Sequence, residues 1–376
     1  VKRLLHVYSG NLYGGIETIL VSLARHGALY PSLEHEFALC FEGRLSGELE
    51  SLGARVHQLR EVRASRPHSI RRARTTLRDV LGRGGYHQVV CHATWSQALF
   101  GRVVRRAGLP LVFWAHDALA GRHWTERWAR RIEPDLVVGN SQYTASTLPT
   151  LYGNVPAVVV YAPLDVTREP LSAAVRSALR AQLKTPDDAV VIVQASRMQA
   201  WKGHSAVLEA LGRLRARKEW IWWVIGGAQR ADEGAYVETL AAEARHLGIA
   251  DRVRWLGERD DVRTLLSAAE LYCQANTAPE PFGIAYVEAL AAGLPVIASR
   301  AGGASEIVDG SCGLLVPPGD ADALAVALEQ LIVDDGLRAR LAVAAPSRAR
   351  QLCDPQTQLR CLAGALTRIR AVGVGA

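Results

Sequence analysis

Short apolar runs recur along the chain, separated by longer stretches in which apolar positions return every three or four residues. In the first half, Arg3–Tyr8, His35–Phe41, Ala54–Gln58, His87–His92, Leu109–Trp114, Asp135–Gly139 and Ala157–Tyr161 are rich in β-branched and aromatic residues and predict strands. Helical period fills Ile16–Tyr30, Ile70–Leu81, Trp95–Arg106, Trp124–Ile132 and Ser141–Tyr152. The segment Tyr161–Pro170, with prolines at 163 and 170, reads as a linker. The alternation then resumes with strands at Ala189–Ala195, Trp220–Ile225, Val253–Leu256, Leu271–Gln274, Pro295–Ala298 and Gly313–Val316. Helices are expected at Gly203–Arg217, Ala235–Leu247, Ile284–Ala292, Ala321–Ile332 and Gly336–Ala345, and a last one, Pro355–Ile369, has no strand after it. Strand–helix alternation builds a parallel sheet covered on both faces. Met twice in one chain, it predicts an α/β protein of two doubly wound Rossmann-like domains, 1–163 and 164–354. Functional residues are then expected at the carboxyl ends of the strands.

Composition narrows the class. With 49% hydrophobic and 22% charged residues the chain is globular rather than disordered. Its longest apolar runs, Trp220–Ile225 and Leu109–Trp114, fall far short of the roughly 18 residues of a membrane span. Val1–Gly10 lacks the apolar core of a signal peptide, so a cytoplasmic location is expected. The six cysteines have no C-x-x-C spacing, which argues against a disulfide framework or a structural zinc site. Charge is uneven: residues 1–160 hold 20 basic against 12 acidic residues, whereas the remainder is close to balanced. That asymmetry points to an anionic partner or surface near the first half.

Candidate chemistry lies where the strands end. After the first strand, Ser9-Gly10-Asn11-Leu12-Tyr13-Gly14-Gly15-Ile16-Glu17 runs into a helix, and the pair Gly14-Gly15 lets backbone approach a ligand. A tight strand–helix turn would read the same way, and the dinucleotide fingerprint G-x-G-x-x-G is absent. His92 ends one strand and His116-Asp117 follows another, so both imidazoles are expected at the crevice mouth, where they can donate to a sugar hydroxyl or serve structure. Cys91 and His92 point to opposite faces of their strand, and no metal is expected. In the second half, Arg197 and Lys202 stand on one loop just before a helix, as an anion clamp would. Further on, Glu280 and Glu288 flank Pro281-Phe282-Gly283 and the helix start at Ile284, combining carboxylates that can accept paired sugar hydroxyls with free helix amides.

These segments resemble the family 4 retaining glycosyltransferases of GT-B architecture, in which two Rossmann-like domains face each other across a cleft. The resemblance spans essentially the whole chain: Gly14-Gly15-Ile16-Glu17, His116-Asp117, Arg197 with Lys202-Gly203, the Glu280-to-Glu288 segment, and Gly302-Gly303-Ala304-Ser305-Glu306-Ile307. It implies a C-terminal helix, 355–372, that crosses back to an acceptor-binding first domain, and a second domain that holds a UDP- or GDP-linked sugar donor. It further implies that Arg197 and Lys202 grip the diphosphate and that Glu288 binds ribose. Glu280 would bind the transferred sugar, and amides of Phe282, Gly283 and Ile284 the sugar and phosphates. Gly14 and Gly15 would lie near the reacting phosphate, His116 would bond the sugar, and Arg259 would contact the base. Transfer would retain anomeric configuration through a front-face route with no metal and no cofactor. A sugar phosphorylase or nucleotide-sugar epimerase of the same architecture is the alternative. A nucleic-acid partner is not expected, because it leaves the two glutamates unexplained.

Residues Arg122–Arg131 match no motif of that family. There Trp124 and Trp128 interleave with Arg122, Arg127, Arg130 and Arg131, and a basic amphipathic helix carries Arg66, Arg71, Arg72, Arg74 and Arg78 beside Ile70, Leu77 and Val80. The expectation is peripheral attachment to an anionic membrane at its cytoplasmic face, with a lipid-linked or envelope glycan as acceptor. Packing of the tryptophans inward, with a soluble natural-product acceptor, is the other reading.

Overall fold

The computed structural model describes residues 1–369 apart from 168, 169, 218 and 229. Linker residues 168 and 169 and the expected helix end at 370–372 therefore lie outside the described residues. The chain divides into two compact units, Val1–Asp165 joined by the chain from Cys353 onward, and Val166–Leu352.

The first unit is built on seven parallel strands: β1 (Lys2–Tyr8), β2 (Leu33–Leu39), β3 (Val56–Gln58), β4 (Gln88–His92), β5 (Leu111–Ala115), β6 (Leu136–Gly139) and β7 (Ala157–Val159). Their order is β3-β2-β1-β4-β5-β6-β7. Every residue of β4, β5 and β6 is buried. Burial on both faces explains why they read as continuous apolar runs rather than as alternation. The helix Pro355–Thr367, capped by the Asp354 carboxylate on Thr357 N at 2.8 Å, belongs to this unit. Gln88 Nε2 donates to Leu366 O at 2.8 Å, and Tyr161 N donates to Gln358 Oε1 at 3.0 Å, so the last helix does return to the first domain.

The second unit holds six parallel strands: β8 (Val190–Ala195), β9 (Trp220–Ile225), β10 (Val253–Gly257), β11 (Leu271–Gln274), β12 (Val296–Ser299) and β13 (Gly313–Val316). Their order is β10-β9-β8-β11-β12-β13. Trp220, Trp222 and Trp223 are all buried in β9, and two of their indoles are satisfied, by Leu214 O and Thr185 Oγ1. The chain reverses direction across each sheet between β1 and β4 and between β8 and β11. Crevices open at the carboxyl ends of such strand pairs.

All thirteen expected strands are present, and the departures are among the helices. Arg44–Ser51, Ala173–Gln182, Val262–Ser267 and Ala304–Ile307 are helical without having been expected. The first buries only Ser46 and Leu49, which gives no apolar stripe to read, and the last is a single turn. The expected helix Ser141–Tyr152 is divided into Gln142–Thr147 and Pro149–Tyr152, because Pro149 suits a helix start and not an interior. Trp124–Ile132 stops at Ala129. The helix expected to end at Ala345 runs on through Pro346 to Cys353. Among the described residues no helix is long and apolar enough to cross a membrane.

Candidate active site

At the β1/β4 switch of the first unit, Ser9 fastens the loop after β1 to the helix Ala93–Arg106. Its amide and hydroxyl both meet Ser96 Oγ, at 3.1 and 2.9 Å. Glu17, buried in the next helix, receives Tyr8 OH at 2.5 Å and the Gly14 amide at 2.9 Å. The Gly14 N–H is therefore committed to Glu17. Gly15 opens the helix Gly15–His26. The Gly14 backbone is extended, and a Cβ there would meet only the Glu17 carboxylate at 3.7 Å, so no local crowding or strain requires glycine at this position.

His116 follows β5 and is buried, with its Nε2 2.9 Å from His92 Nδ1 and its ring stacked on Trp114. Together with Thr94, Asp117, His123, Thr125 and Glu126 it lines a cavity of about 260 Å³. Burial pushes the His116 imidazole down to about 3, which makes it a neutral ring at ordinary pH. His92 is wholly buried behind it, so only His116 reaches the cavity lining; the expectation that both line the mouth is corrected.

In the second unit the loop after β8 turns through Ala200–Lys202 to Gly203 at φ +77°, where a Cβ would fall 1.8 Å from Ala275 O. Only glycine allows that approach, and it brings the loop against the end of β11. Lys202 Nζ lies 2.7 Å from Glu280 Oε2 and 4.0 Å from the centre of the Trp201 ring. Asn276 Nδ2 donates to the same carboxylate oxygen at 2.7 Å. The side chains of this ion pair are 14% and 11% exposed, so its charges are shielded from water but not sealed from it. The Glu280 backbone pairs with Gly302, Gly303 N donates to Glu280 O at 2.7 Å, and a Cβ at either glycine would enter the Glu280–Phe282 backbone. Gly302-Gly303 is thus the seat on which the Glu280 loop rests.

Phe282 is buried, so its ring is core and only its backbone can serve a ligand. Gly283, at φ +113°, precedes the helix Ile284–Ala291, whose first amides have no partner within the helix. Glu288 is half-buried in that helix, and burial pushes its carboxyl up to about 7 while Arg263 pulls the other way. Arg197 Nη2 donates to Glu233 Oε1 at 2.5 Å, and its buried Nε has no partner among the described residues. Arg259 forms a two-pronged pair with Asp261 at 2.7 and 2.6 Å.

The structure therefore joins Lys202 to Glu280 directly, supplies each of Arg197, Lys202 and Arg259 with a carboxylate, and leaves Glu288 half-buried. Neither cation of the expected clamp stands free. Sequence reasoning missed Glu233, Asn276 and the buried Gln274. Glu233 sits in the first turn of the helix Ala231–His246 after β9, and Asn276 two residues beyond β11, so the strand-end rule applied to every loop would have reached both. Among the described residues no group of three or more His, Cys, Asp or Glu side chains is arranged to hold a metal ion.

Comparison with known proteins agrees with this fold. The family model for group 1 glycosyl transferases matches residues 175–348, and that for Glycosyltransferase Family 4 matches residues 13–168. The lipopolysaccharide core biosynthesis glycosyltransferase LpsE of Rhizobium meliloti is 36% identical over 43% of this chain, a match that spans only 45% of LpsE. A D-inositol 3-phosphate glycosyltransferase of Kribbella flavida is 30% identical over 74% of this chain and 70% of its own length. Among solved structures, Anabaena HepE in complex with UDP superposes with a TM-score of 0.84 at 28% identity, over 98% of this chain and all of that one. Its two sheets, the fitted halves and these relatives agree: the chain has the GT-B fold and belongs to glycosyltransferase family 4.

Proposed function

We propose that the chain transfers a glycosyl group from a nucleotide-sugar donor to a hydroxyl acceptor, with retention and without a metal ion. The observation that carries this reading is the Lys202–Glu280–Asn276 cluster at the β8/β11 switch, next to the helix start at Ile284. In the resting protein Lys202 and Glu280 satisfy each other. A diphosphate draws Lys202 away and is gripped by it with Arg197, which has a spare Nε, while the released Glu280 carboxylate accepts sugar hydroxyls. Ribose hydroxyls donating to Glu288 favour its charged form and offset the burial that now holds it near neutral pH. Backbone at Phe282, Gly283 and Ile284 supplies donors to the sugar and phosphates, and Arg259 lies on the loop assigned to the base. As the sugar–phosphate bond breaks, negative charge builds on the β-phosphate. Lys202, Arg197 and the helix start neutralise it, which is the dominant demand of such a transfer and one that needs no metal.

In the first domain, His116 bonds the sugar and Gly14-Gly15 border the reacting phosphate. The freedom of position 14 from local crowding favours close approach by a ligand over a mere tight turn. UDP is favoured as the nucleotide because HepE is described with it; GDP is the other candidate. The acceptor is a lipid-linked or envelope glycan, in keeping with the lipopolysaccharide role in the name of LpsE. A cavity of about 620 Å³ lined by Arg71, Arg74, Arg78, Trp124 and Trp128, with Trp124 45% exposed, supports attachment to an anionic membrane from the cytoplasmic side.

The test is a thermal-shift panel with UDP, GDP and ADP, followed by transfer assays with sugars of the winning nucleotide. Product anomers read by NMR and activity in excess chelator decide retention and metal independence. Stabilisation by none of the three nucleotides would overturn the proposal.

A further inference from the structure

Four imidazoles, those of His6, His92 and His116 buried and that of His35 partly so, form an unbroken chain along the first sheet. His35 Nδ1 meets His6 Nε2, His6 Nδ1 meets His92 Nε2, and His92 Nδ1 meets His116 Nε2, each at 2.9 Å. Strand register explains the chain. His6 lies beside Phe37 and Val90, and His92 lies beside Trp114. Each step from β2 to β1, to β4 and past β5 therefore moves one strand across and two residues toward the carboxyl end. A shift of two keeps all four rings on one face of the sheet. The two outer nitrogens, His35 Nε2 and His116 Nδ1, are buried and have no hydrogen-bond partner among the described residues.

Burial lowers the basicity of all four rings, with His35 at about 4 and His116 at about 3, so each carries a single proton at neutral pH. Every link needs one N–H and one bare nitrogen. If His116 carries its proton on Nδ1, its Nε2 must accept, so His92 must donate from Nδ1, and the same choice passes to His6 and His35. If His116 carries it on Nε2, all four are Nε2–H. Any mixture sets two lone pairs or two protons against each other inside one link. Changing from one state to the other requires a proton to enter at one buried end and another to leave at the far one.

We propose that His35, His6, His92 and His116 form one tautomeric unit, in which His35, His6 and His92 are positioning residues that fix whether His116 Nδ1 donates or accepts. The hydrogen bond a ring nitrogen can make is set by the bond its other nitrogen makes, and here that dependence is carried across four strands. What His116 offers to a ligand is thereby tied to the position of the proton on His35. The link to sugar transfer rests on the function proposed above; the tautomeric unit itself does not.

The test is long-range nitrogen–proton NMR on the full chain with isotope-labelled histidine, without ligand, each of the four resonances being assigned by single substitution. The expected result is that all four rings are protonated on the same nitrogen; two different tautomers among them would overturn the proposal. In a His35→Phe variant the remaining links still bind His6, His92 and His116 to one choice, and two different tautomers among those three in the folded variant would equally overturn it. If that variant does not fold, the wild-type spectrum decides alone. Under the proposed function, His92→Phe, which removes the ring bonded to His116, also lowers kcat about tenfold or more, as a misassigned tautomer does, with UDP affinity unchanged. Because the spectrum needs no substrate, failure of the tautomeric unit and failure of the glycosyl-transfer reading are separate results.

Discussion

The two sheets reverse their strand order in the same way, yet the first fills its switch point with neutral rings and the second with an ion pair. Within strands β1 and β4 themselves the paired polar groups are His6 and His92, buried, uncharged and satisfied by one another, with Ser9, Ser96 and Glu17 in the loop and helices beyond. At β8/β11 they are Lys202 and Glu280, charged and partly reached by water. One topology thus carries two electrostatic solutions. A neutral chain can be sealed in the sheet because it brings no charge out of water, whereas an ion pair needs solvent or further hydrogen bonds nearby. The first arrangement fixes geometry, and the second holds charge that a ligand can redirect.

Breaking the charged side should have the largest effect. Lys202→Ala removes the cation that the proposed function assigns to the phosphate and leaves the Glu280 carboxylate with Asn276 and Gln274, so kcat should fall by roughly 10² or more. Unlike an ordinary loop substitution it should also cost about 1.5–3 kcal/mol of stability, the usual worth of a hydrogen bond to a charged group. Steady-state kinetics and denaturant melts read the two effects, and near-normal turnover would remove Lys202 from the chemistry. Glu280→Gln should be milder. It frees Lys202 for the diphosphate, so UDP binding measured by calorimetry should hold or tighten while transfer slows about tenfold, a typical loss for one positioning contact of about 1.4 kcal/mol. Weaker UDP binding would contradict the exchange of partners proposed for Lys202.

Acidity should separate the halves in opposite directions. The histidine chain titrates below its unfolded value of 6.5, so the stability it contributes is present above that pH and lost as pH falls toward about 4. Glu288 is raised from 4.5 to about 7, so the folded state binds the extra proton between those values and stability falls as pH rises through them. Glu288→Gln should therefore melt higher than the wild type at pH above 7 and equal it below about 4.5, while binding UDP more weakly. Hydrogen exchange of the full chain across that range should show β4 amides loosening in acid and the Ile284–Ala291 helix loosening in base; parallel responses would erase the distinction. The smallest effect belongs to the basic face of the first unit. Replacing Arg71 and Arg78 by Gln should weaken flotation with anionic vesicles by about 1 kcal/mol per cation, an effect that salt removes.

Much of this was legible from the chain alone. Strands buried on both faces declare themselves as apolar runs, and Arg197, Lys202, Glu280 and His116 do lie in the segments that follow β8, β11 and β5. Their pairings were not legible. Lys202 and Glu280 are 78 residues apart and meet because β8 neighbours β11, a fact of register that periodicity does not contain. His6 and His35 were passed over for a related reason: a lone histidine in an apolar strand reads as core until its neighbour across the sheet is known. Arg44–Ser51 was missed because it buries too little to leave a stripe.

The return of Pro355–Thr367 to the first unit has a consequence for the order of synthesis. The 166–352 unit is an insertion within the other: Gln88 waits for the carbonyl of Leu366, 278 residues later. A nascent chain can complete the later-encoded unit while the earlier one still lacks its closing helix, which reverses the usual amino-terminal-first sequence of domain folding. A chain stalled or clipped near residue 352 would leave the histidine-bearing half uncovered and its partner whole.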